Sequence, residues 1–161
     1  MGKQKRNEGT VRNNNGIMMK SCKILYLLIF FSFINVTISQ AQEKSPIEVV
    51  KLFDKAYGSP FMDEIANYTT PKFRDNRPKS VWVVDTWKTL KKIKYERLNS
   101  SVIDTKVKRD RAVVVTEAKI KTVVGETNQK DIFYLIKQGE RWLIDKLIVT
   151  DEEIDLNKIQ L

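Results

Sequence analysis

The sequence predicts an α+β domain in which N-terminal helices pack on a four-stranded antiparallel sheet. Apolar residues recur at helical spacing from Ser45 to Lys92, and after Ile93 the period drops to two. The alternating stretches are joined by short turns, at Lys108-Arg109-Asp110, Gly125 and Gln138-Gly139-Glu140. Such connections can join only antiparallel neighbours. Helices grouped before strands, rather than alternating with them, define the α+β class.

Ser45-Pro46-Ile47-Glu48 opens the first helix, with Ser45 as cap, Pro46 in the first turn and Glu48 closing a capping box. Ile47, Val50, Phe53 and Tyr57 form its stripe, widened by Val49, Leu52 and Ala56, and Gly58 stops it. Ser59-Pro60 caps a second helix through Phe61, Met62, Ile65 and Ala66, and Thr70-Pro71 opens a short turn carrying Phe73. After the loop Asp75-Asn76-Arg77-Pro78, Ser80 caps a third helix reaching Lys92, with Val83, Val84, Trp87 and Leu90 as its stripe. Val81-Trp82-Val83-Val84 alone also suits a strand. The first strand runs from Lys94 to Val107, with an irregularity near Asn99-Ser100-Ser101. In the second, Ala112, Val114, Thr116, Ala118 and Ile120 share one face and Val113, Val115, Glu117, Lys119 and Lys121 the other. In the third, Ile132, Tyr134 and Ile136 oppose Phe133 and Leu135. The fourth, Arg141 to about Val149, carries Trp142, Ile144 and Ile148. Asp151 to Asp155 reads as an acidic, frayed tail.

Ahead of this domain, Lys20 and Lys23 precede an apolar run from Ile24 to Ile38, followed by Ser39-Gln40-Ala41. A basic flank, an apolar core and small residues before a cut make a secretory signal peptide, residues 18–41, cleaved after Ala41. The run is shorter than the roughly 20 residues of a membrane span. An uncleaved anchor tethering the domain to a membrane is the alternative. Residues 1–17 are polar and aperiodic, and read as disordered or as an overlong start ahead of Met18 or Met19. The domain is then residues 42–161, secreted or periplasmic. The only cysteine, Cys22, precedes the apolar core, so neither a lipoprotein anchor nor a disulfide is expected.

The chain carries a net charge of +9, but residues 1–41 hold much of it; residues 42–161 have 23 basic against 19 acidic residues. That moderate excess suits solubility and some attraction to anionic surfaces, not a dedicated nucleic-acid binder. The sequence has no histidine. Without histidine or a cysteine in the exported part, zinc sites, thiol chemistry and Ser-His-Asp triads are excluded. No cofactor and no metal are expected.

Several segments resemble the nuclear transport factor 2-like (cystatin-like) superfamily, particularly its small exported members with no assigned function. They are the helix from Pro46 to Phe53, Tyr68-Thr69-Thr70-Pro71-Lys72-Phe73-Arg74, the strand Arg111 to Val115, and the closing hairpin Phe133 to Asp145 with its Gly139 turn before Trp142. The resemblance covers about Ser45 to Val149 and implies a cone or roll, in which a curved sheet wraps a long helix and leaves a pocket. Some members are isomerases using a pocket acid and a tyrosine, others dehydratases using a His-Asp pair, and many are non-catalytic binding or dimerisation modules. The lack of histidine removes the dehydratase pair, and no catalytic set matches residue by residue.

Candidate sites follow. Tyr57, Tyr68, Trp82, Asp85, Trp87 and Tyr134 are the ligand-pocket candidates, with core packing as the plainer use of the aromatics. Asp85, among Trp82, Val84 and Trp87, is the candidate base if apolar surroundings raise its pKa, and otherwise an exposed helix residue. Lys88, Lys91, Lys92, Lys94 and Arg97 are candidates for an anionic partner, as are Lys72, Arg74, Arg77 and Lys79; a solvated surface is the alternative. Asn67-Tyr68-Thr69 and Asn99-Ser100-Ser101 match the glycosylation pattern. The expected function is an exported, non-catalytic domain binding a small apolar ligand or a protein partner. The alternatives are an isomerase-like enzyme, or a homodimerising module using Val113, Val115, Phe133 and Leu135 exposed on the outer sheet face.

Overall fold

In the computed structural model of the chain, residues 43–155 and 159 are described. The anticipated signal peptide with its cut after Ala41, Cys22 and the polar start all lie outside the described residues.

Helix α1 (Pro46–Ala56) begins with the capping box its sequence calls for: Glu48 N–H donates to Ser45 Oγ at 3.3 Å, and Ser45 N–H donates to Glu48 Oε2 at 2.7 Å. It ends at Tyr57, and Gly58 takes the left-handed conformation at φ 80°. Helix α2 (Met62–Ala66) starts later than Ser59-Pro60 suggests. The Ser59 hydroxyl instead ties the turn, donating to Ala56 O and accepting from Phe61 N–H. A 3-10 turn (Lys72–Arg74) leads to helix α3 (Lys79–Lys92). Ser80 is not its cap: Pro78, with extended ψ of 147°, precedes the helix directly and Ser80 sits in the first turn. The buried stripe of α3 is also rotated from the expected one. Trp82 and Leu90 are buried, Val83 and Trp87 pack against the core, and Val84 is 49% exposed.

Strands β1 (Glu96–Lys108), β2 (Arg111–Thr122), β3 (Gly125–Gln138) and β4 (Arg141–Thr150) form one curved antiparallel sheet in the order β1-β2-β3-β4. The helices pack on one face. Val49, Val50 and Phe53 of α1 meet Ala112, Val114, Phe133, Leu135 and Ile144 in the main core. At its centre Phe53 stacks on Tyr57 at 4.6 Å between ring centroids and meets Phe133 edge-on at 5.1 Å.

Bulges decide which residues reach the helices. Register breaks between Arg97 and Asn99 and between Val102 and Asp104 leave Leu98 and Ile103 unpaired on β1. Arg97 and Ser100 therefore lie opposite Ile120 and Ala118, on the same face of β2. In a regular strand, residues three apart point to opposite faces. A third break, opposite Tyr134 and Leu135, leaves Asp145 unpaired on β4. It corrects the expected pattern there: Trp142, Ile144 and Leu147 face the helices, whereas Ile148 turns to the outer face.

That outer face is not an open apolar patch. Val113 and Val115 are buried, and with Ile132 they form a second cluster packed by Tyr134, Ile148, Ile154 and Ile159. Phe133 and Leu135 are buried in the main core. Beyond β4, Lys106 Nζ donates to Ile159 O at 2.9 Å and Lys130 pairs with Glu153 at 2.7 Å. A sheet covered on both faces explains the unbroken run Ala112-Val113-Val114-Val115.

Candidate functional site

The segment between α2 and the 3-10 turn docks beside β4. Thr69 forms a parallel bridge with Ile144; Ile144 N–H donates to Tyr68 O at 2.8 Å, and Thr70 N–H donates to Ile144 O at 2.9 Å. This brings Thr70 and Lys72 to the unpaired Asp145. Thr70 Oγ1 donates to Asp145 Oδ1 at 2.9 Å, and Lys72 Nζ donates to Oδ2 at 2.8 Å.

An open cleft of about 540 Å³ lies between α3 and β4, with walls of Tyr57, Phe73, Trp82, Leu147 and Val149. Lys72, Arg77, Thr86, Asp145 and Lys146 supply its polar edge. Its volume falls in the range of small-molecule sites, roughly 300–1,000 Å³, and it is open, with apolar and polar residues in equal number. A second cleft of about 370 Å³ shares Lys72, Asp145 and Lys146 with the first and adds Arg111, Ala112, Tyr134, Leu135 and Ile136.

Behind Tyr57 lies a buried polar centre that the sequence does not announce. Arg97, with its side chain 6% exposed, sits between Asp131 at 2.8 Å and Asp54 at 3.1 Å. Ser100 Oγ donates to Asp54 Oδ2 at 2.6 Å, and Gln129 Nε2 donates to Asp131 Oδ1 at 2.6 Å. The rings of Tyr57 and Tyr95 meet edge-on at 5.8 Å. Burial pushes the Asp54 carboxyl above its usual range, against the Ser100 hydrogen bond and the Arg97 charge. Burial also pushes the Tyr57 phenol up to about 12, helped by Tyr95. For Arg97, burial favours proton loss, but Tyr95, Asp54 and Asp131 overcome it and hold the guanidinium above its ordinary value. Arg97 Nε and Thr116 Oγ1 have no hydrogen-bond partner among the described residues.

The sequence-predicted site residues are divided by this geometry. Tyr57 and Trp82 line the first cleft, and Tyr134 the second. Trp87 borders a separate apolar groove with Pro60, Met62, Val83 and Val84. Tyr68 is half-buried against the core, with Lys44 Nζ 5.5 Å from its ring centroid. Asp85 is not in apolar surroundings: it is exposed and paired with Arg77 at 3.4 Å, because it lies on the solvent side of α3.

The basic clusters are corrected too. Arg97 is withdrawn from any anionic partner by its two aspartates. Arg74 is buried, donating to Thr69 O, Thr69 Oγ1 and Ala66 O. Arg77 is engaged by Asp75 and Asp85, and Lys79 by Asn67. Lys88, Lys91, Lys92 and Lys94 are exposed around the C-terminal end of α3, where cations complement the helix dipole. The residues missed by sequence reading are Asp54, Asp131 and Asp145. The one available signal was an aspartate in otherwise apolar alternation, at Asp131 before Ile132-Phe133 and at Asp145 after Ile144.

No protein-family model matches the chain, and no curated protein matches it. Among solved structures, it is similar to a SEC-C motif-containing protein from Rhodopseudomonas palustris, with 20% identity, 69% of this chain and 80% of the other covered, and a TM-score of 0.54. It is also similar to a function-unknown protein from Mycobacterium tuberculosis, with 11% identity, 91% and 82% covered, and a TM-score of 0.50. A third likeness is to a domain of unknown function with a cystatin-like fold from Nostoc punctiforme, with 10% identity, 66% and 72% covered, and a TM-score of 0.47. The likeness to the first two is one of fold alone.

Proposed function

We propose that this chain is an exported, non-catalytic binding domain of the nuclear transport factor 2-like, cystatin-like type, and that it takes a small apolar ligand in the cleft between α3 and β4. The observation that carries the proposal is the cleft itself: about 540 Å³, walled by Tyr57, Phe73, Trp82 and Leu147, and open to solvent along a polar edge. Export is supported by the basic flank, apolar run and small residues that end at Ala41.

Binding is favoured over catalysis by the state of the acids around the cleft. Asp145 is engaged by Thr70 and Lys72, Asp54 by Ser100 and Arg97, and Asp131 by Arg97 and Gln129. A general base needs a carboxylate with a free oxygen within reach of the substrate proton. Asp54 has the raised proton affinity such a role requires, but it does not line either cleft.

Native mass spectrometry of the protein recovered from the exported fraction of its own source tests this reading. The expected species has the mass of residues 42–161 plus a bound small molecule. A clean, adduct-free mass, together with failure of the refolded protein to take up any apolar probe, defeats it.

A further inference from the structure

The two clefts share Lys72, Asp145 and Lys146 in their linings. The first cleft has three aromatic residues in its lining, Tyr57, Phe73 and Trp82, and the second has Tyr134. The private cation of the first cleft, Arg77, is neutralised by Asp75 and Asp85, and Lys72 is neutralised by Asp145. The second cleft adds Arg111, which has no ion-pair partner among the described residues. Lys146, shared by both clefts, also forms no ion pair there and sits with its Nζ 5.7 Å from the centroid of the Tyr134 ring. Of the cations without an ion pair, Arg111 therefore belongs to the second cleft alone and Lys146 to both, while most of the aromatic rings line the first. The Asp145 bulge makes this possible, since it sets Asp145 and Lys146 together at the boundary of both clefts.

Resting on the binding role proposed above, we infer that the ligand is an amphipathic anion. Its apolar body lies in the first cleft against Phe73 and Trp82, and its carboxylate or phosphate head is held in the second by Arg111 and Lys146. A guanidinium offers a fork of donors to a planar or tetrahedral anion, and the ammonium a point charge. Asp145, already saturated by Thr70 and Lys72, does not oppose the head with a free carboxylate.

Dodecanoate and dodecanol, each below its micellar or solubility limit, separate the two halves of this reading by calorimetric titration of the full chain. Dodecanoate is expected to bind about tenfold or more tightly than dodecanol, as charge-assisted hydrogen bonds contribute on that scale. The double variant Arg111→Gln, Lys146→Gln is expected to bind the two probes within about twofold of each other. The control Lys88→Gln, Lys91→Gln, on the exposed end of α3, keeps the preference. Both pairs are on the surface, so circular dichroism is expected to match wild type. Equal binding of the two probes by wild type, or a preference that survives the double variant, overturns the head-group site and leaves the apolar cleft standing. Binding of neither probe overturns both readings.

Discussion

Removing one member of the buried Asp54–Arg97–Asp131 centre is expected to damage the domain far more than removing all three. Asp131 is fully buried, 2.8 Å from Arg97 and 2.6 Å from the Gln129 amide. Asp131→Ala leaves a guanidinium that is only 6% exposed facing Asp54 alone, and orphans the Gln129 donor. Breaking a buried pair in this way costs about 3–5 kcal/mol. For a domain of this size each kcal/mol moves the midpoint by about 3–5 °C, so the expected drop is roughly 10–20 °C. The triple variant Asp54→Leu, Arg97→Met, Asp131→Leu removes the desolvation cost of every charge at once. It loses the Ser100 and Gln129 acceptors, and is expected to lie within about 2 kcal/mol of wild type. Urea unfolding followed by tryptophan fluorescence measures both. A single variant within about 1 kcal/mol of wild type, or a triple variant as unstable as the single one, refutes the argument that the centre is held by mutual charge compensation.

Three further outcomes are expected. Phe53→Ala, which empties the ring-stacked middle of the core, is expected to cost about 3–5 kcal/mol in the same unfolding assay. Gly58→Ala forces a Cβ to 2.9 Å from the Tyr95 ring at φ 80°, and is expected to cost at least about 1–2 kcal/mol; thermal melting checks it. Asp54 titrates above its unfolded value of 3.8 in the folded domain, so the folded state binds the extra proton. The penalty for its charge is complete above the folded pKa and is relieved as pH falls through that value toward 3.8. The stability of wild type relative to Asp54→Asn is therefore expected to improve on going from pH 7 to pH 4 in urea titrations, and a constant difference would contradict it.

Period and capping made the helices and the meander readable, because Ser45-Pro46-Ile47-Glu48 and the alternation in Arg111 to Ile120 express local rules that the fold obeys. What was not readable depends on one-residue insertions. A strand of period two places Arg97 and Ser100 on opposite faces, and only the unpaired Leu98 brings both to Asp54. The same holds at Asp145, whose bulge sends Ile148 outward and Leu147 inward. The second apolar face was misread because its cover is two isolated isoleucines, Ile154 inside the acidic stretch and Ile159 beyond it, which form no period. The aromatic character of the segments that bring Tyr57 and Trp82 to the first cleft was legible. The separation of these two residues from Tyr68 and Trp87 was not, since it follows from how the segment at Thr69 docks on β4.

The two-faced sheet also has a consequence in time. Ile154 and Ile159 follow all four strands in chain order, so during synthesis from the N-terminus the face bearing Val113, Val115 and Ile132 is made before its cover exists. For that interval the β-prone run Ala112-Val113-Val114-Val115 is open to other chains.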